Sequence, residues 1–141
     1  MSYQTPISIK QAIDKIDLQQ YLLPAIQREF VWGNDKIELL FDSLMRNYPI
    51  GSFLMWKVQN ENKIVHRYYS VLKKYREKYH THCEEVNTNA IPDFEAVLDG
   101  QQRLTALYIG LKGSYAYKKK NFGWKDNENS LPTRKLFLCL N

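Results

Sequence analysis

A chain of 141 residues, 44% hydrophobic and 25% charged, is long enough for one domain with a real core and has an ordinary globular composition. Its net charge of +5 suits an anionic partner, nucleotide or nucleic acid, without requiring one. No apolar run approaches the roughly 20 residues of a membrane helix, and Met1–Pro6 lacks the core of a signal peptide. Cys83 and Cys139 form no disulfide framework, so a reducing, cytoplasmic location is expected.

Ser8, with Gln11 three residues on, reads as a capping box. Ile9, Ala12, Ile13 and Ile16 then make the apolar stripe of a packing helix. Tyr21, Leu22, Leu23 and Pro24 suggest a strand edge or an extended segment. Polar Gln27, Arg28 and Glu29 follow, ahead of Phe30, Val31 and Trp32. Arg28 suits either a surface ion pair or bidentate contact to a phosphate. Gln27 can orient a water or read a base edge.

Asn34 is expected to cap a second helix, with Ile37, Leu40, Phe41, Leu44 and Met45 on its apolar face and Tyr48-Pro49 ending it. Gly51 and Ser52 read as a turn that can also bring backbone N–H groups to a site. Phe53 to Val58 reads as a central strand, apolar on both faces apart from Lys57. Gln59 to Lys63 reads as a turn. The stretch from Ile64 to Tyr79 places Val65, Tyr68, Tyr69, Leu72 and Tyr79 near one helical face, with basic residues elsewhere. Such a helix suits phosphate contacts and base stacking, or plain packing on the core. His80, His82 and Cys83 supply metal-ligand types but have no second cluster at a usual spacing. The span 59–92 reads as an insertion between two core strands.

Phe94, Ala96, Val97 and Leu98 read as a short buried strand. Leu104, Leu107, Tyr108 and Leu111 then recur at i, i+3, i+4 and i+7, as on one face of a helix. Between them lies Asp99-Gly100-Gln101-Gln102-Arg103. A strand feeding a helix through such a turn leaves free N–H groups where the helix dipole favours an anion. Arg103 sits in the first turn, where a cation is unfavourable unless it meets a negative group. Asp99 suits a cap or a metal ligand, and the turn as a whole suits either a phosphate site or an ordinary solvated cap. Lys112-Gly113 closes the helix. Lys118, Lys119 and Lys120 form a basic run, and 121–132 is loop-like. Lys135 to Asn141 reads as a final strand. There is no Gly-rich Walker loop and no Gly-x-Gly-x-x-Gly.

Asp99-Gly100-Gln101-Gln102-Arg103 after a hydrophobic strand resembles the signature of the GmrSD-type N-terminal domain family of modification-dependent restriction and anti-phage proteins. Leu23 to Trp32 resembles the family's Pro-x-x-Gln-Arg-x-x-x-Trp segment. Ser43-Leu44 with Tyr48-Pro49-Ile50-Gly51-Ser52 resembles its Ser-Leu…Tyr-Pro-Ile-Gly stretch. The blocks occur in the family's order over roughly residues 20 to 112.

The resemblance implies one α+β domain over 1–141, similar to the ParB/sulfiredoxin fold, with a small mixed sheet and flanking helices. It also implies a nucleoside triphosphate as substrate or effector, and Mg²⁺. Gly100, Gln102 and Arg103 would hold phosphates, Asp99 would bind the metal or position water, and Gln101 or Gln102 would orient that water. Gln27 and Arg28 would complete the pocket or sense DNA. Family members are generally longer, so the chain is expected to be truncated at its C-terminus, lacking a helical or HNH-type nuclease domain. Nothing in it resembles an HNH site. The alternative from another class is a non-catalytic DNA-binding module using Arg67, Lys73, Lys74, Arg76, Lys118, Lys119 and Lys120.

Overall fold

The computed structural model describes residues 3–26 and 29–140. Gln27 and Arg28 therefore lie outside the described residues, as does Asn141.

The fold is α+β. Helix α1 (Ile9–Asp17) carries the capping box expected of Ser8 and Gln11, with both reciprocal bonds present. Strand β1 (Tyr21–Pro24) is buried throughout. Helix α2 spans Asn34–Met45, β2 spans Leu54–Val58, and α3 spans Asn60–Val65. Three short strands follow: β3 (Tyr68–Tyr69), β4 (Lys74–Arg76) and β5 (Glu85–Val86). Strand β6 (Phe94–Asp99) leads through one residue into α4 (Gln101–Leu111), then β7 (Ser114–Ala116) and β8 (Thr133–Arg134).

Among the described residues there are two sheets. The larger has the order β2-β6-β1-β3-β5, and the smaller β4-β7-β8. Strand β6 pairs parallel with β1 and antiparallel with β2. Alternation divides the side chains of β1 and β6 between two cores. Tyr21, Leu23 and Val97 join α1, α2 and α4 in the main core, whereas Leu22, Phe94 and Ala96 join Val58 and Tyr68 in a second. Leu98, expected to be buried with them, is exposed near the end of β6.

The helix at the centre departs from the expected single stripe. Leu104 to Ile109 are buried without interruption, and Leu111 is exposed. Small side chains allow this. Ala106 is fully buried, and a Cβ on Gly110 would stand 2.2 Å from the Phe41 ring of α2. Helix α4 is therefore enclosed from several sides, which fixes the position of its first turn.

Five other expectations are corrected. Gly33, not Asn34, is the N-cap of α2. Asn34 is already helical, and its side-chain amide reaches Glu38 at 3.4 Å. The strand expected at 53–58 is an edge of the sheet, not central. Its Trp56 packs against the second core and meets the His66 ring edge-on at 5.9 Å. The turn expected at Gln59–Lys63 opens α3 instead. The basic, aromatic helix expected over 64–79 is mostly extended, supplying β3 and β4. Tyr and Val suit a pleated surface, and long-range pairing with β1 and β7 overrides a chance helical spacing. Towards the C-terminus, β8 comprises Thr133–Arg134 alone. Residues 135–140 carry no regular structure, and Phe137 and Leu140 are exposed there.

Asp17, at the end of α1, ties this helix to α4 and to the segment before β4. It accepts from the Lys112 ammonium, from Tyr108 Oη at 2.6 Å and from Lys73 Nζ at 3.3 Å. The Lys112 bond above all, then that of Tyr108, lowers its carboxyl from 3.8 to about 2. A depressed carboxyl stabilises the fold above its unfolded value, and that contribution is lost as pH falls from 3.8 towards about 2. Asp17→Asn is expected to cost about 1 kcal/mol at neutral pH and to flatten the acid limb of a melting-temperature profile. An unchanged acid limb would exclude Asp17 as a contributor.

Candidate anion site at the start of the central helix

The turn between β6 and α4 is built on Gly100, whose φ of 91° lies in the left-handed region. A Cβ there would come within 2.4 Å of Phe53. Asp99 Oδ1 accepts from Gly100 N–H at 2.9 Å, folding the carboxylate back over the turn. No side chain caps α4. No described residue accepts from the main-chain N–H groups of Gln101, Gln102 or Arg103, which are the orphan donors of the first turn.

The side chains of this turn reach far along the sequence. Gln102 Oε1 accepts from Val31 N–H at 3.1 Å, and its Nε2 donates to Glu29 C=O at 3.0 Å. One amide thus grips residues two apart on an extended segment, the pattern a neighbouring strand would offer. Arg103 does the same on another segment. Its guanidinium donates to Ile50 C=O and, at 2.9 Å, to Ser52 C=O, and it lies 4.9 Å from the Phe53 ring. Gly51 between those carbonyls has φ 88°, and any Cβ there would strike Arg103 Nη1 at 2.4 Å. Gln101 turns inward, donating to Val97 C=O at 2.8 Å.

Segments 29–31 and 50–53 therefore meet at the first turn of α4, each held by one side chain of it. Sequence reasoning selected Asp99, Gly100, Gln101, Gln102 and Arg103 and grouped all three blocks. It missed Phe53 and the carbonyls of Glu29, Ile50 and Ser52. The positive charge of Arg103 in a first turn pointed to an outside anion, but two backbone carbonyls meet it first. Gly51 and Ser52 belong to this clasp, and the proximity of Gly51 to Arg103 explains why a glycine stands there. Gln27 and Arg28 lie outside the described residues.

The basic residues nominated for nucleic acid do not act alike. Arg67 lies 3.8 Å from Glu85, Lys73 is held by Asp17, and Arg76 bonds Asp126 at 2.7 Å with Glu128 at 3.4 Å. These three are committed within the chain. Lys74 and Lys120 are exposed, and Lys118 and Lys119 lie over the aromatic rings of Trp124 and Phe122. Around His80 and His82, burial pushes the Cys83 thiol up to about 11, so it carries its proton at neutral pH. Among the described residues no three metal-ligating side chains cluster, and no helix is long and apolar enough to cross a membrane.

The family profile described as "GmrSD restriction endonuclease, N-terminal domain" matches residues 9–138. An uncharacterized protein of Methanocaldococcus jannaschii is 37% identical over 107 residues, which cover 74% of this chain and 16% of that relative. The chain thus corresponds to a small part of that longer protein. With nearly all of its length matched, the chain belongs to the GmrSD restriction endonuclease N-terminal domain family.

Proposed function

We propose that this domain binds and hydrolyses a nucleoside triphosphate within a modification-dependent restriction or anti-phage protein. One observation carries the reading: an uncapped helix start, after a left-handed glycine, whose orphan N–H groups are framed by two clasped segments. Those N–H groups and the helix dipole receive phosphate oxygens. Arg103 spends two of its five N–H donors on carbonyls and keeps the rest for anionic charge. Gln102 is engaged at both ends, so water orientation falls to Gln101, whose Oε1 has no partner among the described residues. Rate acceleration then comes from positioning and charge stabilisation.

Mg²⁺ commonly uses one or two protein carboxylates together with substrate phosphates. Asp99, exposed and with Oδ2 outside the bond to Gly100, fits that role. When bound, the ion neutralises phosphate charge. A DNA target and a downstream nuclease domain complete the proposal at the level of the whole protein.

The test is calorimetric titration with ATP, GTP, CTP and UTP plus Mg²⁺ on the wild type and on Asp99→Asn. Asparagine keeps the acceptor for Gly100 N–H and removes the charge. The variant is expected to melt within about 2 °C of the wild type, since exposed polar changes cost little, and to lose about tenfold or more in Mg²⁺-dependent affinity. A folded wild type that binds none of the four would sink the reading.

A further inference from the structure

We propose a second binding surface, independent of the nucleotide reading: a stacking platform for single-stranded nucleic acid on the β7–β8 loop. That connection, residues 117–132, is longer than most loops in compact domains, and such loops are commonly functional. Its base is pinned. Leu131 and Ser130 are buried, Lys119 N–H donates to Ser130 C=O at 2.8 Å, and Leu131 N–H donates to Asn127 C=O at 2.8 Å. The chain reverses at Asn121, with φ 68°. Yet the outer part of this anchored loop presents Phe122 and Trp124, 42% and 43% exposed.

Lysines surround both rings. Lys78 and Lys118 place their ammonium groups 5.1 Å and 5.6 Å from the Trp124 ring, and Lys119 lies 4.9 Å from that of Phe122. Lys120 is exposed beside them in sequence. None of these four forms an ion pair with a described carboxylate, although Lys118 Nζ also donates to Phe122 C=O at 2.9 Å, leaving Lys78 the freer of the two at Trp124. The nearby acids are engaged elsewhere. Asp126 and Glu128 bond Arg76, and Glu77 accepts from the main-chain N–H of Lys118. Cation–π contacts at exposed sites are weak and exchangeable. A base can replace an ammonium on the ring face, and the displaced lysine then meets the adjacent phosphate. Aromatic faces interleaved with unpaired cations are the pattern that recognises a single strand, whose bases are free to stack. A duplex keeps its bases stacked within itself.

Fluorescence anisotropy with a labelled oligodeoxythymidylate, on the whole chain and without nucleotide, tests this. The single strand is expected to bind with steep salt dependence and to be preferred over a duplex of equal length. Trp124→Ala should weaken it at least about fivefold, and Trp124→Phe should recover part of the loss. Circular dichroism of both variants should match the wild type, since Trp124 is exposed. Absence of binding, equal affinity for duplex, equal competition by polyglutamate, or an unaffected Trp124→Ala would each overturn the platform. None of these outcomes depends on whether the start of α4 holds a nucleotide.

Discussion

Replacing Arg103 with alanine is expected to destabilise the domain by about 2–3 kcal/mol, because hydrogen bonds to a charged group contribute more than neutral ones and two are lost together. For a chain of this size that lowers the melting temperature by about 10 °C. The damage should centre on residues 50–53, where hydrogen exchange is expected to accelerate first. Arg103→Lys should restore little, since an ammonium cannot bridge the Ile50 and Ser52 carbonyls as a planar fork does. A variant that melts with the wild type would show that the clasp contributes nothing. This structural duty also explains the use of Asp99→Asn as the ligand probe. Lost nucleotide binding in Arg103→Ala would confound a missing phosphate contact with a displaced loop.

Gly100→Ala is expected to cost about 2–4 kcal/mol. Part is conformational, since an L-residue at φ 91° is strained. Part is steric, because the new methyl would overlap Phe53 and force its ring away. Phe53 covers the Arg103 guanidinium, so the displacement would also loosen the clasp on 50–52. Thermal melting would check the stability loss. Hydrogen exchange at residues 50–53 would report whether the loop still docks on Arg103. A fully stable Gly100→Ala would mean that the turn relaxes without using left-handed backbone.

The parts legible in the sequence were those whose causes are local. The Ser8–Gln11 box, the apolar face of α2 from Ile37 to Leu44, without the exposed Met45, and the change of period across Gly100 each declare themselves within a few residues. The region 64–79 misled because Tyr68, Leu72 and their neighbours happen to fit a helical spacing, while their actual partners lie in β1 and β7. The candidate site was half legible for the same reason. Gly100 and Arg103 stand out by residue type. Their partners do not, since Arg103 reaches back 51 and 53 residues, and Gln102 71 and 73. No window along the chain contains both ends of those bonds. The exposed ring of Trp124 was passed over because a polar loop hides one aromatic residue well.

The strand order has a consequence for synthesis. Strand β6 lies between β2 and β1 yet is made after both, so neither can enter the larger sheet as a neighbour of the other. A nascent chain that ends before Phe94 can pair β1 with β3 and β3 with β5, but the edges of β1 and β2 that face β6 stay open. Helix α4, which follows at once, brings the core side chains and the two clasps together. The larger sheet therefore closes late and cooperatively, on contacts of high sequence separation, which form slowly. While β6 is still inside the ribosome, the growing polypeptide is most exposed to aggregation and most dependent on chaperones.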